Sequence, residues 1–515
     1  VITLKKFSFI LGVILLASIN FVVRSLGFIY RIILSRMIGP QAIGLYQMVF
    51  PFLMVLITLP TAGIPIAVSK LVAKENSLNN RNGIYRILLI SLLIGGIISL
   101  LLTVIVSLNI DIVVNSILKN SDLHLPILWV IPAISLITFS SILRGFFYGL
   151  KDLKPAASAQ ILEQVTRILF VLLYLYYKNP NHPITMATIA IIGLSVGEFF
   201  GLVYLIIGFN IKKLIYRKTS LNLLGTSFLS YFKDIAYISI PITISRLISV
   251  LMQTINSILI PHRLVIAGYT SVAAIEIFGK IAGMAMPLLF LPFTVTGALV
   301  INVIPNISEQ VAVNNLSDVS YKSSLAIKIT LLVAIPVTLV YTVLGKELAG
   351  LIYHQKEVGV YLSIISYSTL FMCMQHTLSG ILHGLGKQVI TTINFLLGML
   401  IQLYCTYFLV PNPKYGINGF FIGFILSSFV IFILHLITLY RFVPFKLSLT
   451  QSVIKPLLSS LFMILIMLFI HRGSFITSEA LKGIIAFTTG GLAYIACLII
   501  TKTINIKALI DSIKG

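Results

Sequence analysis

Acidic residues are scarce: 14 Asp and Glu stand against 37 Lys and Arg in 515 residues. Charge of either sign makes up only 10% of the chain, whereas a soluble domain carries about 25%. A water-soluble surface cannot be built from so few charges, which excludes a large soluble domain. Cysteine is nearly absent. Cys373, Cys405 and Cys497 lie inside apolar runs, without metal-ligand spacing or a disulfide pattern. They read as small core residues. There is no G-x-x-x-x-G-K-[ST] loop and no H-E-x-x-H. Direct ATP hydrolysis and zinc proteolysis have no support, so no enzyme, no cofactor and no metal site is expected.

What the chain does have is apolar residues, 58% of the total, in long continuous runs. About 20 apolar residues as helix cross a bilayer core. Inside lipid every backbone polar group must be satisfied within the protein, leaving helices or closed barrels. Barrel strands would be short and alternating; these runs are neither. The first run is too long for a signal peptide and carries arginines, so it reads as a retained span. The spans fall at 8–33, 43–70, 84–109, 124–149, 157–177, 184–210, 236–261, 275–304, 324–345, 359–385, 389–411, 417–440, 452–470 and 481–501. The fold class is an all-α integral membrane protein with about fourteen transmembrane helices.

Loop cations set orientation. With the N-terminus inside, the inner segments hold 22 Lys and Arg and the outer ones 9. Both termini are therefore expected in the cytoplasm. The same bias accounts for most of the +23 net charge. No nucleic-acid partner is needed to explain it, and anionic membrane lipid is the natural counterpart.

The two halves resemble each other at an offset near 235. Gly145 and Gly149 match Gly380 and Gly384. Gly63 and Glu75 match Gly297 and Glu309 at 234, and Gly193 matches Gly423 at 230. Six spans per copy put the copies in the same orientation, an arrangement that commonly builds transporters with the substrate between the halves. The expected division is residues 1–211 as a first lobe of spans 1–6 and 212–235 as a cytoplasmic linker. Residues 236–441 would form a second lobe of spans 7–12, and 442–515 an appended span pair with a cytoplasmic tail.

Leaving aside the cations near span ends that are counted with the loops (Lys70, Arg86, Lys328, Lys455 and Lys482), nine charges fall within spans: Arg24, Arg31, Arg144, Arg167, Arg246, Lys280, Glu163, Glu198 and Glu276. A central charge costs about 2.5–3.5 kcal/mol on insertion scales, so each needs a partner or a wet cavity. Glu163 with Arg167 and Glu276 with Lys280 have ion-pair spacing on one helix face. Arg31, Arg144 and Lys280 lie near span ends, within reach of headgroups by snorkelling. Arg24 and Arg246 open the two halves with no acid one turn away, and point to a central cavity. A net-positive cavity suits an anion, and the guanidinium fork suits phosphate. Gln47, Gln164, Gln253 and Asn256 could add hydrogen bonds, although each alone reads as an interhelical packing residue first. Gln160 belongs with them. His376, His383 and His435 read as packed histidines before proton relays.

The stretches Arg24-Ser-Leu-Gly27-Phe28-Ile-Tyr30-Arg31, Ile38-Gly39-Pro40, Gly44-Leu45-Tyr46-Gln47 and Gly63-Ile64-Pro65 resemble the stage V sporulation protein B family. So do Arg144-Gly145 to Gly149 with Pro155, Glu163-Gln164 and Arg167, and Pro261-His-Arg263-Leu264 with Gly283 to Leu289. This family is similar to the wider MOP superfamily of MurJ-type lipid II flippases, polysaccharide-unit flippases and MATE exporters. The resemblance implies a MurJ/MATE-like fold of two six-helix pseudo-repeated lobes plus two extra helices. It implies movement of an undecaprenyl-pyrophosphate-linked sugar, a lipid-linked oligosaccharide or lipid II, across the bacterial cytoplasmic membrane. The setting would be spore cortex synthesis. Arg24 matches the family's first arginine. MurJ-type proteins carry Arg-Asp where this chain reads Tyr30-Arg31, and arginines late in span 2 where it has Val55 and Leu56. The expected substrate site is Arg24 and Arg246 on the pyrophosphate, with Arg167, Arg31, Glu163, Gln47, Gln164, Gln253 and Asn256 around it. The alternative is a MATE-like exporter coupled to Na⁺ or H⁺, with Glu198 as its ion site. A lesser alternative is a membrane scaffold that recruits cell-wall synthesis enzymes.

Overall fold

A computed structural model describes residues 2–215, 227–444, 447–472 and 478–503; within these, the side chains at 2–21, 24, 211–215, 227, 245 and 480 are not described. The loop cations between 216 and 226, Lys446 and the tail lysines after 503 lie outside the described residues. Every regular element among the described residues is helical. The helices are α1 (Ile2–Thr61), α2 (Ile64–Ser77), α3 (Arg81–Leu108), α4 (His124–Gly149), α5 (Leu153–Lys178), α6 (Pro183–Ile215), α7 (Ser227–Ile266) and α8 (Ser271–Phe278). They continue with α9 (Phe293–Ala312), α10 (Leu316–Tyr353), α11 (Lys356–Ile365), α12 (Tyr367–Gly384), α13 (Gln388–Phe408), α14 (Ile417–Phe442), α15 (Lys455–Arg472) and α16 (Glu479–Ile500).

Among the described residues, twelve helices are long and apolar enough to cross a membrane, and α11 with α12, bent by 55°, are so when taken together. The expected fourteen differ at one place. Ser25–Ser77 runs as a single stretch, because the chain between spans 1 and 2 turns at one residue, Gly39, with φ 74°. Glycine takes that left-handed conformation without a Cβ penalty.

Besides the tenth, which bends between α11 and α12, two predicted spans are broken. The second stops at Thr61 and resumes at Ile64, where Gly63 lets the Ser239 backbone of α7 approach directly. The eighth is interrupted between Leu289 and Phe293 after a seven-residue π segment, Gly279–Ala285. Discontinuous membrane helices expose backbone polar groups and recur in transporters.

The helix faces follow membrane logic. In α3 the large side chains Leu93, Ile97, Leu100, Leu101, Val104 and Ile105 are exposed. The small ones, Ser91, Gly95, Gly96 and Ser99, face inward. A methyl group on Gly95 would stand 2.6 Å from Ile142 on α4. Lipid is as apolar as leucine, so association depends on close packing of small residues and on interhelical hydrogen bonds. Ser135 donates to Ser99 across the same interface at 3.4 Å.

Two compact units emerge: Val1–His262 with Ile275–Gly279, and Arg263–Ala274 with Lys280–Gly515. Most of α7 therefore packs with the first unit, beyond the 211/236 division read from the sequence. The reason is local. Gly63 meets Ser239, and Thr254 donates to the Pro51 carbonyl at 2.9 Å.

Within each unit the same construction appears, in register. Gly145 and Gly149 of α4 meet Pro65, and Ser69 with Val72; Gly380 and Gly384 of α12 meet Val300, and Ile304 with Ile307. Each of these five residues differs from its counterpart by 235 positions. The helix corners agree as well. Asn80 donates to Glu75 and caps Gly83, while Asn315 donates to Gln310 and caps Asp318. Asn79, Lys119 and Lys151 have positive φ, and so do Asn314, His354 and Gly386. The counterpart of Glu75 is thus Gln310. The sequence match of Glu75 to Glu309 is one residue out of register, because it follows residue type and not the cap.

Spans 13 and 14 form a hairpin on α10. Met463, Met467, Ala486, Tyr494 and Leu498 share an apolar cluster with Leu344, and the Tyr494 hydroxyl donates to the Leu332 carbonyl at 2.7 Å.

The glycine contacts are testable. Alanine at Gly149 would put its Cβ 2.7 Å from Val72 Cβ and 2.8 Å from the Ser69 carbonyl oxygen, and alanine at Gly384 would meet Ile307 and Ile304 at 2.9 and 3.0 Å. Overpacking of this kind costs about 1–3 kcal/mol. Gly149→Ala and Gly384→Ala should each lower the melting midpoint of the detergent-solubilised chain by a similar amount. Midpoints equal to wild type would show that these contacts are loose.

Candidate functional site

Four buried charges meet in the first unit. Arg144 of α4 donates through Nη1 to Glu163 of α5 at 3.1 Å, and through Nη2 to Glu198 of α6 at 3.3 Å. Arg167 of α5 donates to the other Glu163 oxygen at 2.6 Å. The side chains retain only 7–17% exposure. Two arginines balance two carboxylates, and one guanidinium fork joins three helices. Placing charges in a membrane is expensive unless each is paired and hydrogen-bonded.

The local sequence builds this network. Gly193, Gly197 and Gly201 line one face of α6. A methyl group on Gly197 would lie 2.7 Å from the Glu163 carbonyl oxygen, and one on Gly201 would lie 3.4 Å from Glu163 Cβ. The small face draws α6 onto α5 and carries Glu198 toward Arg144. Tyr30 on α1 is buried beside this group, within electrostatic range of Arg167. Its hydroxyl and Arg167 Nε have no hydrogen-bond partner.

Among the described residues, the second unit shows no such network. Helices α12 and α13 contain no charged residue, and α14 has only Arg441 at its end. Ser379 stands where the repeat places Arg144, 235 positions on. The fold is built a second time without these charges, so the first unit does not carry them for architecture alone.

A second group lies on α7. Arg246 and Gln253 are exposed and line an open recess of about 640 Å³ with Pro241, Ile242, Ser249 and Val250. No acid lies within a turn of Arg246 along the helix.

The structure therefore brings Glu163, Arg167 and Glu198 together, and separately Arg246 with Gln253. Gln47, Gln164 and Asn256 are buried, with Asn256 Oδ1 unpaired; Gln164 packs against Gly27 of α1. Arg31 is half-buried on α1. The Arg24 side chain lies outside the described residues. Two snorkelling expectations fail. Arg144 is buried between two carboxylates, and Lys280 is 9% exposed and bonded to Glu357 of α11. In both cases an acid on another helix offers a stronger partner than the headgroups. Among the histidines, His383 contacts Thr391 at 3.0 Å and His435 contacts the Ile431 carbonyl at 2.7 Å, as packed side chains do.

Sequence reasoning passed over Arg144 and Tyr30 as members of this group. One signal for Arg144 was available: Glu198 has no cation within a turn on its own helix, so its partner had to come from another.

The description of the polysaccharide biosynthesis protein family matches residues 9–309, more than half of the chain. The chain belongs to the polysaccharide biosynthesis protein family. The MatE family also matches, over residues 241–408. Among relatives of this family member, stage V sporulation protein B of Bacillus subtilis (strain 168) is 29% identical over 87% of this chain and 86% of its own. The lipid II flippase MurJ of the same organism is 24% identical over 94% of each. A solved structure of lipid II flippase MurJ, in an inward closed conformation, matches with a TM-score of 0.68 at 16% identity, covering 95% of this chain and 98% of that one. At that identity the likeness is one of fold.

The network makes a direct prediction. Arg144→Ala leaves Glu198 without its guanidinium and Glu163 with only one. Breaking one partner out of a buried ionic group costs about 3–5 kcal/mol, read as a lower unfolding midpoint in detergent. Adding Glu198→Gln to Arg144→Ala should recover part of the loss by removing the stranded charge. A double variant no more stable than the single one would mean that Glu198 depends on other groups.

Proposed function

We propose that this protein is an alternating-access flippase that carries an undecaprenyl-pyrophosphate-linked sugar, lipid II or a related oligosaccharide, across the cytoplasmic membrane. Both termini lie in the cytoplasm in this reading, and spore cortex synthesis is the setting. Family membership supports it, as does kinship with proteins named stage V sporulation protein B and lipid II flippase.

The observation that carries the reading is Arg246. It is an arginine in an apolar helix, without an acid on its own turn, open to a recess of about 640 Å³ that also presents Gln253. A guanidinium kept in a membrane helix at a cost of about 2.5–3.5 kcal/mol suits a ligand that brings its own negative charge. A pyrophosphate offers the oxygens that the guanidinium fork accepts. Arg24 shares the load, and Arg31 assists. Arg167 contributes less than its position in the sequence suggests, because Glu163 already holds it. The sugar occupies the recess and the polyprenyl tail stays in lipid.

A MATE-like exporter coupled to Na⁺ or H⁺ is the second reading, and the MatE match over 241–408 favours it. Its ion site at Glu198 meets an obstacle: Glu198 already accepts from Arg144, so an incoming metal cation would face a guanidinium.

Fluorescent lipid II movement in proteoliposomes tests the proposal. Wild type should translocate it. Arg24→Ala and Arg246→Ala should insert and fold normally yet lose tenfold or more in rate. Full activity in both variants rules out this pyrophosphate site. Drug resistance on expression, with no lipid translocation, favours the exporter.

A further inference from the structure

A smaller recess of about 140 Å³ lies where α2, α3, α4 and α6 come together in the first unit. Asn76, Asn79 and Arg81 line it with polar groups at an exposed rim. Tyr85, Phe146 and Phe209 form its walls, with Phe209 edge-to-face against both other rings at 6.1 and 5.6 Å. None of these residues belongs to the charge network or to the Arg246 recess.

The repeat supplies an internal control. The matching corner of the second unit, 235 positions on, shares the turn and the cap. Its residues are different. Val311 replaces Asn76, Leu316 replaces Arg81, Ser320 replaces Tyr85 and Ile381 replaces Phe146. Val311 and Ile381 pack there into an apolar core with Val319, Leu439 and Val443. The fold can therefore close this corner with aliphatic side chains. Asn79 keeps its counterpart in Asn314; to it the first unit adds an arginine and a second amide over an aromatic cup.

We propose that this recess binds a phosphate-ester oxyanion, with Arg81 and the Asn76 and Asn79 amides on the phosphate and the aromatic cup around its short apolar stem. Arginine presents a fixed fork of donors that matches phosphate oxygens, and amide nitrogens add neutral donors. The aromatic walls disfavour a bare, fully hydrated ion and suit an ester. The charge rule puts this corner on the cation-rich side of the membrane, where anionic lipid headgroups also gather. An anionic phospholipid and a soluble phosphate ester share this chemistry.

The test uses the full chain in nanodiscs of zwitterionic lipid. It is titrated separately with glycerol 3-phosphate and with dihexanoyl phosphatidylglycerol, and binding is read by microscale thermophoresis. Saturable binding is expected for at least one probe. Binding of phosphatidylglycerol alone identifies a lipid headgroup site, and binding of glycerol 3-phosphate identifies a soluble ester site. Asn76→Val with Arg81→Leu, which installs the second unit's residues, should weaken binding at least tenfold while the melting midpoint stays within a few degrees. If that pair misfolds, Arg81→Gln alone should still weaken binding about fivefold. Lys74→Ala removes an exposed cation that does not line the recess, and should change binding less than twofold. No saturable binding of either probe, or an equal loss in Lys74→Ala, overturns the proposal.

Discussion

Hydrocarbon contains no water to take up a stray charge or a loose backbone, and most of this structure answers that one constraint. Helices close their own hydrogen bonds. With no hydrophobic gain from helix contact, packing has to come from close approach, and along α3 Ser91, Gly95, Gly96 and Ser99 face inward while Leu93, Ile97, Leu100 and Leu101 face out. Charges survive where other charges hold them. Arg144 joins α4, α5 and α6 through Glu163 and Glu198, and the α6 glycines make that approach sterically possible.

The internal repeat separates architecture from added chemistry. What both units share is the frame: glycines of α4 and α12 against α2 and α9, asparagine-capped corners, and left-handed turns in register. What only the first unit shows, among the described residues, is the four-charge network and the polar corner at Arg81. Duplicated folds allow this comparison inside one molecule, because the second copy shows what the frame requires. It requires neither the arginines nor the acids.

The break in the second span bears on the added chemistry. At Gly63 the missing side chain admits the Ser239 backbone, and α7 is drawn to the first unit although its sequence opens the second half. This same α7 carries Arg246, exposed and without an acid on its own turn. A membrane protein keeps such a residue only where a wet cavity, headgroups or a ligand repay its cost.

The sequence by itself determined the class of protein, the approximate spans and the repeat. Run length and charge scarcity depend only on the thickness and polarity of the bilayer, and these are the same for any chain. It also identified Glu163 with Arg167, since four residues make one helical turn and both partners lie on one element. Tertiary structure alone decided the rest. Arg144 lies 19 residues from Glu163 and 54 from Glu198, and no local spacing reports which helices become neighbours. Lys280 found Glu357, 77 positions away, for the same reason. Glu75 was matched to Glu309 because residue type was the only guide, whereas the capping hydrogen bonds assign Gln310. Period and polarity are properties of the chain; partnership across helices is a property of packing.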